Sequence, residues 1–159
     1  MKRFNLVLAT SLVAGMGVAA WVVSAQDRSV PKGLTFLGSP VTTEQIVLGQ
    51  EVYTAHCAAC HGENLEGQPD WRMRNDDGRM PAPPHDANGH TWHHSDRQLF
   101  KITKLGLSAI LPDYESNMPA YEGILSDAEI AAVLAWIKST WPERERRFQA
   151  EVTANDGGG

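Results

Sequence analysis

The alternation of apolar and polar positions along the chain predicts three main helices. Apolar residues recur at helical spacing after Thr42, in a stretch that leads into Cys57, and again after Ser95 and after Ser126. Ser95 and Ser126 each begin a capping-box pattern, and the third helix should end at Pro142. No run of alternating β-branched residues indicates a sheet. We therefore expect an all-α fold.

The segments between and around these helices divide the chain. Residues 62–94 are rich in Gly, Pro, Asn, Asp and His without a period, so they should form a long loop, which in a compact domain usually wraps something. Residues 26–41 predict an extended lead-in to a domain at 42–142. Residues 143–159 are charged and then Gly-rich, which predicts a short helical extension that frays into a disordered tail.

The first 25 residues have the features of an export signal. Lys2 and Arg3 are followed by twenty uncharged residues, LVLATSLVAGMGVAAWVVSA. Small residues ending at Ala25 fit cleavage before Gln26, but the apolar run is also long enough to remain as a membrane anchor. In both cases the basic end stays in the cytoplasm, so we expect the domain on the periplasmic side of the cytoplasmic membrane.

Charge narrows the class of partner. The chain has 14 basic and 19 acidic residues, a net charge of −5, and cleavage of the signal would remove two of the basic ones. An acidic surface disfavours nucleic acid and suits a protein partner with a basic docking patch.

Both cysteines of the chain lie in the segment HCAACHGEN, residues 56–64. A redox dithiol would need a βαβ context, and a zinc site would need two histidines recruited across a long loop. A disulfide between Cys57 and Cys60 would close too small a loop to stabilise much. Cys-x-x-Cys-His is instead the attachment signature of c-type haem, with His61 as the iron ligand. Two cysteines one helical turn apart can reach one edge of a porphyrin, so we expect one covalent haem c.

From these residues the chain resembles the small mono-haem class I cytochromes c of bacteria. The resemblance covers residues 42–141 and rests on Gly49 four before Tyr53, the haem motif, a Pro-rich loop, Met118-Pro119-Ala120-Tyr121 and the last helix. It implies the cytochrome c fold wrapped around the haem. It also implies that Gly49 lies where the first and last helices cross, against Trp136, and that His61 donates its outer ring proton to a carbonyl of Pro81-Ala82-Pro83-Pro84.

Met118 is the expected sixth ligand. It lies in a loop 57 residues after His61 and precedes Pro119, although a methionine is often a plain core residue. We place Tyr121 of the same motif with the haem-binding residues. Met73 and Met80 are weaker candidates. Bis-His ligation would draw on one of the remaining histidines, namely His56, His85, His90, His93 and His94.

Two further donors could reach a haem propionate. Trp92 and Arg97 each bring an N–H group to an otherwise acidic surface, and Trp92 could equally pack over the haem edge. His90, His93 and His94 are close enough in sequence to bind copper or zinc.

With His and Met on the iron, no position remains for a small-molecule substrate. We therefore expect one-electron transfer and no enzyme activity, with redox partners such as a respiratory complex, an oxidase or a dehydrogenase. The alternatives are a haem enzyme or gas sensor with an open sixth site, and a metal-handling protein that uses the cluster from His90 to His94.

Overall fold

The computed structural model describes residues 30–157. The predicted export segment, the start of the lead-in and the last two glycines lie outside this range. Within it, no helix is both long enough and apolar enough to cross a bilayer.

The lead-in forms a small hairpin. Strands β1 (Thr35–Phe36) and β2 (Ser39–Pro40) pair antiparallel, with Phe36 opposite Ser39. Leu34 and Phe36 are buried in the core, so this segment is anchored to the domain. The two strands are the one departure from helices and loops in the part of the chain that the structure describes.

Five α-helices follow: α1 (Thr43–His56), α2 (Ala58–His61), α3 (Asp96–Leu105), α4 (Asp127–Thr140) and α5 (Glu143–Asp156). Short 3-10 helices lie at Thr91–His93 and Leu107–Ala109. The three predicted helices are present as α1, α3 and α4, and the all-α fold is confirmed.

The starts of these three helices agree with their capping residues. Ser126 and Glu129 form a full capping box, in which each side chain bonds the other residue's backbone N–H. Ser95 Oγ accepts a hydrogen bond from the backbone N–H of Gln98 at 3.1 Å. Thr42 forms a capping box with Gln45. Local side-chain chemistry therefore sets where each helix begins.

Helices α1 and α4 cross at Gly49. A Cβ atom on Gly49 would lie 2.7 Å from Trp136 Cβ and closer still to the carbonyl of Ala132. The predicted contact of Gly49 with Trp136 is confirmed. Since a methyl group has no room there, glycine is what lets the two helix backbones approach.

Helix α5 differs from the prediction for the C-terminal region. The sequence predicted a short extension that frays, but residues 143–156 form a 14-residue helix docked on the domain. Gln149 is fully buried, and its Nε2 donates to Asp96 Oδ1 at 2.7 Å. Burial of a few side chains against the N-terminus of α3 stabilises a helix in which half of the residues are charged.

Candidate functional site

The two cysteines lie on a single helical turn. Helix α1 ends at His56, and Cys57 caps both α1 and the following α2, which carries Cys60 and His61. The backbone N–H of His61 donates to Cys57 O at 2.9 Å and closes this turn. Both thiols are free, with Cys60 exposed and Cys57 half-buried. Burial, with a smaller effect from Cys60, raises the pKa of the Cys57 thiol to about 11. Gly62 follows with φ of 82° and ends the turn.

His61 is held in one orientation by the Pro-rich loop. The imidazole is 7% exposed, and its Nδ1 lies 2.8 Å from the carbonyl oxygen of Pro83. A carbonyl can only accept, so Nδ1 carries the proton and Nε2 keeps its lone pair. Burial lowers the pKa of His61, which favours the neutral imidazole that binds metals.

Two close backbone contacts hold in place the Pro83 carbonyl, which accepts the hydrogen bond from His61 Nδ1. A Cβ atom on Gly67 would lie 2.5 Å from Pro84 N, and one on Gly89 would overlap the Pro84 carbonyl. Gly67 also donates its N–H to His61 O at 2.8 Å, which joins the two loops directly. The Pro83 carbonyl is therefore already held in position by packing, so little free energy is needed to place it for the hydrogen bond from His61.

His85, which the sequence analysis named only as one of the possible second histidine ligands, instead forms a second layer behind His61. The two rings stack at 3.9 Å between centroids and 22° between planes, and His85 Nδ1 lies 2.8 Å from Thr91 Oγ1. Burial, followed by the proximity of His61 and His90, lowers the pKa of His85 well below its usual value. No period or motif marks this residue in the sequence.

The Met118 loop is tied to the end of α1 through Tyr121. Tyr121 is 7% exposed, its hydroxyl donates to the carbonyl of His56 at 2.6 Å, and its backbone N–H donates to Thr103 O at 3.1 Å. Met118 is half-buried and packs against the hydrophobic core. Because His56 immediately precedes Cys57, this bond holds the Met118 loop to the cysteine turn.

Arg79 is a second tie on the same loop, and the sequence analysis did not predict it. Its Nη1 donates to Asn117 Oδ1 at 3.1 Å and its Nη2 lies 3.4 Å from Glu115 Oε2. Arg79 Nε is buried without a hydrogen-bond partner among the described residues. The contact spans 38 positions, so no local pattern could reveal it.

Trp92 and Arg97, the two candidate propionate donors, have different surroundings. Trp92 Nε1 is buried and has no hydrogen-bond partner within residues 30–157. A buried indole N–H normally finds an acceptor, so this donor fits an acidic group brought by a cofactor. Arg97 instead lies on the surface and donates to Asp156 Oδ2 at 3.3 Å.

Three of the remaining sulfur and imidazole candidates are exposed or lie in aromatic contacts, whereas Met80 is half-buried. Met73 is 62% exposed. His90 stacks on Trp71 at 5.5 Å, and His93 lies against Trp92 at 3.9 Å. Across residues 30–157 no three His, Cys, Asp or Glu side chains are grouped to hold a metal ion.

Comparison with known proteins identifies the family. The cytochrome c family profile matches residues 46–141. The chain belongs to the cytochrome c family. The family implies covalently bound haem c, and Cys57 and Cys60, followed by His61, fit its attachment motif. The resemblance to small class I cytochromes c is thereby confirmed.

Two relatives extend this match. Cytochrome c6 of Tetradesmus obliquus is 32% identical over 96 residues, 58% of this chain and 86% of the relative. The cbb3-type cytochrome c oxidase subunit CcoP of Rhodobacter capsulatus is 25% identical over 114 residues, 71% of this chain. This cytochrome spans about a third of that subunit's length, 35%. No solved structure gives a significant match. Both relatives support electron transfer as the function.

Proposed function

We propose that this cytochrome is a one-electron carrier whose haem iron is bound by His61 and Met118. The observation that carries the proposal is the hydrogen bond from His61 Nδ1 to Pro83 O at 2.8 Å, beside two free thiols on the same turn. It leaves His61 Nε2 as the coordinating atom and fixes the ring plane. Bound haem supplies the Fe(III)/Fe(II) couple, and thioether ligation raises its potential.

The position of His85 supports Met118 over a second histidine. Its ring is parallel to that of His61, and Nδ1 is engaged with Thr91, so it lies on the His61 side of the site. His90 and His93 are held in aromatic contacts. Met118, in contrast, is half-buried on a loop that Tyr121 ties next to the cysteine turn.

The surrounding residues would position the ligands and limit water. Pro83 orients His61, Tyr121 and Arg79 hold the Met118 loop, and Trp92 offers its unpaired N–H to a haem propionate. Arg97 is the weaker propionate donor because Asp156 already occupies it. With two protein ligands, substrate chemistry at the iron is excluded, so the protein acts as a carrier and not as an enzyme.

The partner class follows from charge and from one relative. The chain has a net charge of −5, which favours docking to a basic surface on another redox protein. One relative is by name a subunit of a cytochrome c oxidase, which supports a respiratory oxidase as such a partner. The N-terminal segment supports an exported domain, either released or tethered on the periplasmic side. Cell fractionation with N-terminal sequencing distinguishes these two forms.

Substitutions of Met118 test the ligand assignment. Met118→His should lower the midpoint potential and keep the iron low-spin, while Met118→Ala should allow carbon monoxide to bind. Met73→Leu, at an exposed methionine, is the matched control and should do neither. The wild-type oxidised protein should show the weak absorbance band of sulfur-ligated iron at about 695 nm. If Met118→Ala leaves the potential unchanged and still binds no carbon monoxide, the sixth ligand is another residue. If the wild-type protein already binds carbon monoxide, the sixth site is open, and a haem enzyme or sensor becomes the better description.

A further inference from the structure

Phe148 is an apolar side chain on the charged helix α5, and it lies against the haem-site aromatics. Its ring meets Trp92 edge to face, with centroids 5.3 Å apart and planes at 86°, and lies 5.4 Å from the ring of His93. The side chain is 42% exposed, so burial in the core does not account for its presence. Its described ring contacts are with Trp92 and His93.

Helix α5 is fastened to the chain segment that directly follows Trp92. Gln149 Nε2 donates to His94 O at 3.2 Å, and Thr153 Oγ1 accepts from the backbone N–H of Asp96 at 3.1 Å. Asp156 Oδ2 accepts from Ser95 Oγ at 2.5 Å. Side chains on successive turns of α5 therefore form hydrogen bonds with residues 94–96, and Phe148 extends this contact to Trp92.

The same helix lies beyond the region that defines the family. The family match ends at residue 141, and α5 begins at Glu143. Helix α5 therefore lies outside the family match, and it contacts Trp92, whose buried N–H has no partner in the described structure.

We propose that α5 is a redox-tuning helix in which Phe148 is a positioning residue for Trp92. By packing edge to face against the indole, Phe148 holds the Trp92 N–H toward the haem propionate. This inference rests on the proposed function of Trp92. A lost or misdirected N–H donor leaves the propionate charge uncompensated, which favours Fe(III) and lowers the potential.

The test compares midpoint potentials, and their dependence on pH, in the full-length haem-loaded protein. Trp92→Phe keeps a ring but removes the donor, and Phe148→Ala removes the packing. Both should lower the potential and make it more dependent on pH, because an unpaired propionate titrates at higher pH. Phe148→Tyr should restore wild-type values. Leu37→Ala is the control, since Leu37 is also 42% exposed and lies in the hairpin; it should leave the potential unchanged.

A double variant separates positioning from a general structural effect. If Phe148 acts through the indole N–H, adding Phe148→Ala to Trp92→Phe should change the potential no further. An equal, additive shift in both backgrounds would overturn the proposal, as would an unchanged potential in Phe148→Ala. Phe148→Leu replaces Phe148→Ala if the latter does not fold. If Trp92→Phe leaves the midpoint potential unchanged while the Met118 variants behave as expected, the proposed role of α5 in redox tuning is wrong. Electron transfer by a haem bound to His61 and Met118 then still stands.

Discussion

Asp96 and Lys138 form an ion pair in the interior of the protein, with Lys138 Nζ donating to Asp96 Oδ1 at 2.9 Å. Their side chains are 2% and 5% exposed. Asp96 also accepts the backbone N–H of Leu37 at 2.9 Å and the amide of Gln149 at 2.7 Å. One carboxylate thus joins the hairpin, α3, α4 and α5.

Removal of Lys138 should therefore destabilise the whole domain. Lys138→Met leaves the Asp96 carboxylate buried without its counter-ion, which should lower the free energy of unfolding by about 3 kcal/mol. The loss is no larger because Leu37 and Gln149 still donate hydrogen bonds to the carboxylate. Urea unfolding of the haem-loaded protein measures this loss. Lys101→Met, at an exposed position on α3, should change stability by less than about 0.5 kcal/mol. Equal stability of the two variants would show that the pair contributes nothing.

Gly49→Ala should disrupt the crossing of α1 and α4. The new methyl group would meet Ala132 and Trp136, and the helices would have to separate, at a cost of at least about 2 kcal/mol. Thermal unfolding and the yield of haem-loaded protein provide the readout. The control is Gly157→Ala, where the nearest atom to a new Cβ lies at 3.6 Å. A wild-type melting temperature for Gly49→Ala would contradict the packing.

Arg79→Gln should loosen the Met118 loop without unfolding the protein. The bonds to Asn117 and Glu115 are partly exposed, so we expect a stability change below about 1 kcal/mol. The band at about 695 nm should weaken and carbon monoxide should bind faster, since Met118 would leave the iron more often. Arg144→Gln removes the same charge from an exposed arginine that pairs with the buried Glu145 on α5, and it should have neither effect. Identical spectra for the two variants would refute a role for Arg79.

Asp156→Asn should reduce stability at neutral pH but not in acid. The Ser95 hydroxyl, aided by Arg97, lowers the pKa of Asp156 below its usual 3.8. Because the pKa is lower in the folded protein, the ionised carboxylate stabilises the folded state above pH 3.8. This stabilisation is lost as the pH falls through the folded-state pKa. The difference between wild type and variant, measured by urea unfolding at several pH values, should vanish in acid. A constant difference would show that the carboxylate's charge is not involved.

The features that the sequence predicted well are set by residues close together in the chain. Thr42, Ser95 and Ser126 mark helix starts because an N-cap acts on a backbone N–H two or three residues away. The cysteine motif, with His61 in the next position, indicates haem c for the same reason, since one helical turn determines its geometry. The contact of Gly49 with Trp136 was within reach because the resemblance to a family supplied it.

Helix α5 could not be predicted in this way. Half of its residues are charged and the rest show little apolar periodicity, so the local pattern favours a fraying end. What holds it is the burial of Gln149 against Asp96, 53 positions away in the chain.

The sequence by itself determined the all-α class, the three main helices, the covalent haem and the turn that presents Cys57, Cys60 and His61. The tertiary structure decided which side chains from the loops surround that turn. His85 stacks on His61, and Arg79 bonds to the Met118 loop. Among residues 30–157 the Trp92 N–H has no partner, whereas Arg97 pairs with Asp156. The physical reason is how far apart in the chain the interacting residues lie. Caps and thiol spacing depend on backbone geometry within one turn, whereas stacking, ion pairs and buried donors depend on contacts that exist only after distant loops have packed together.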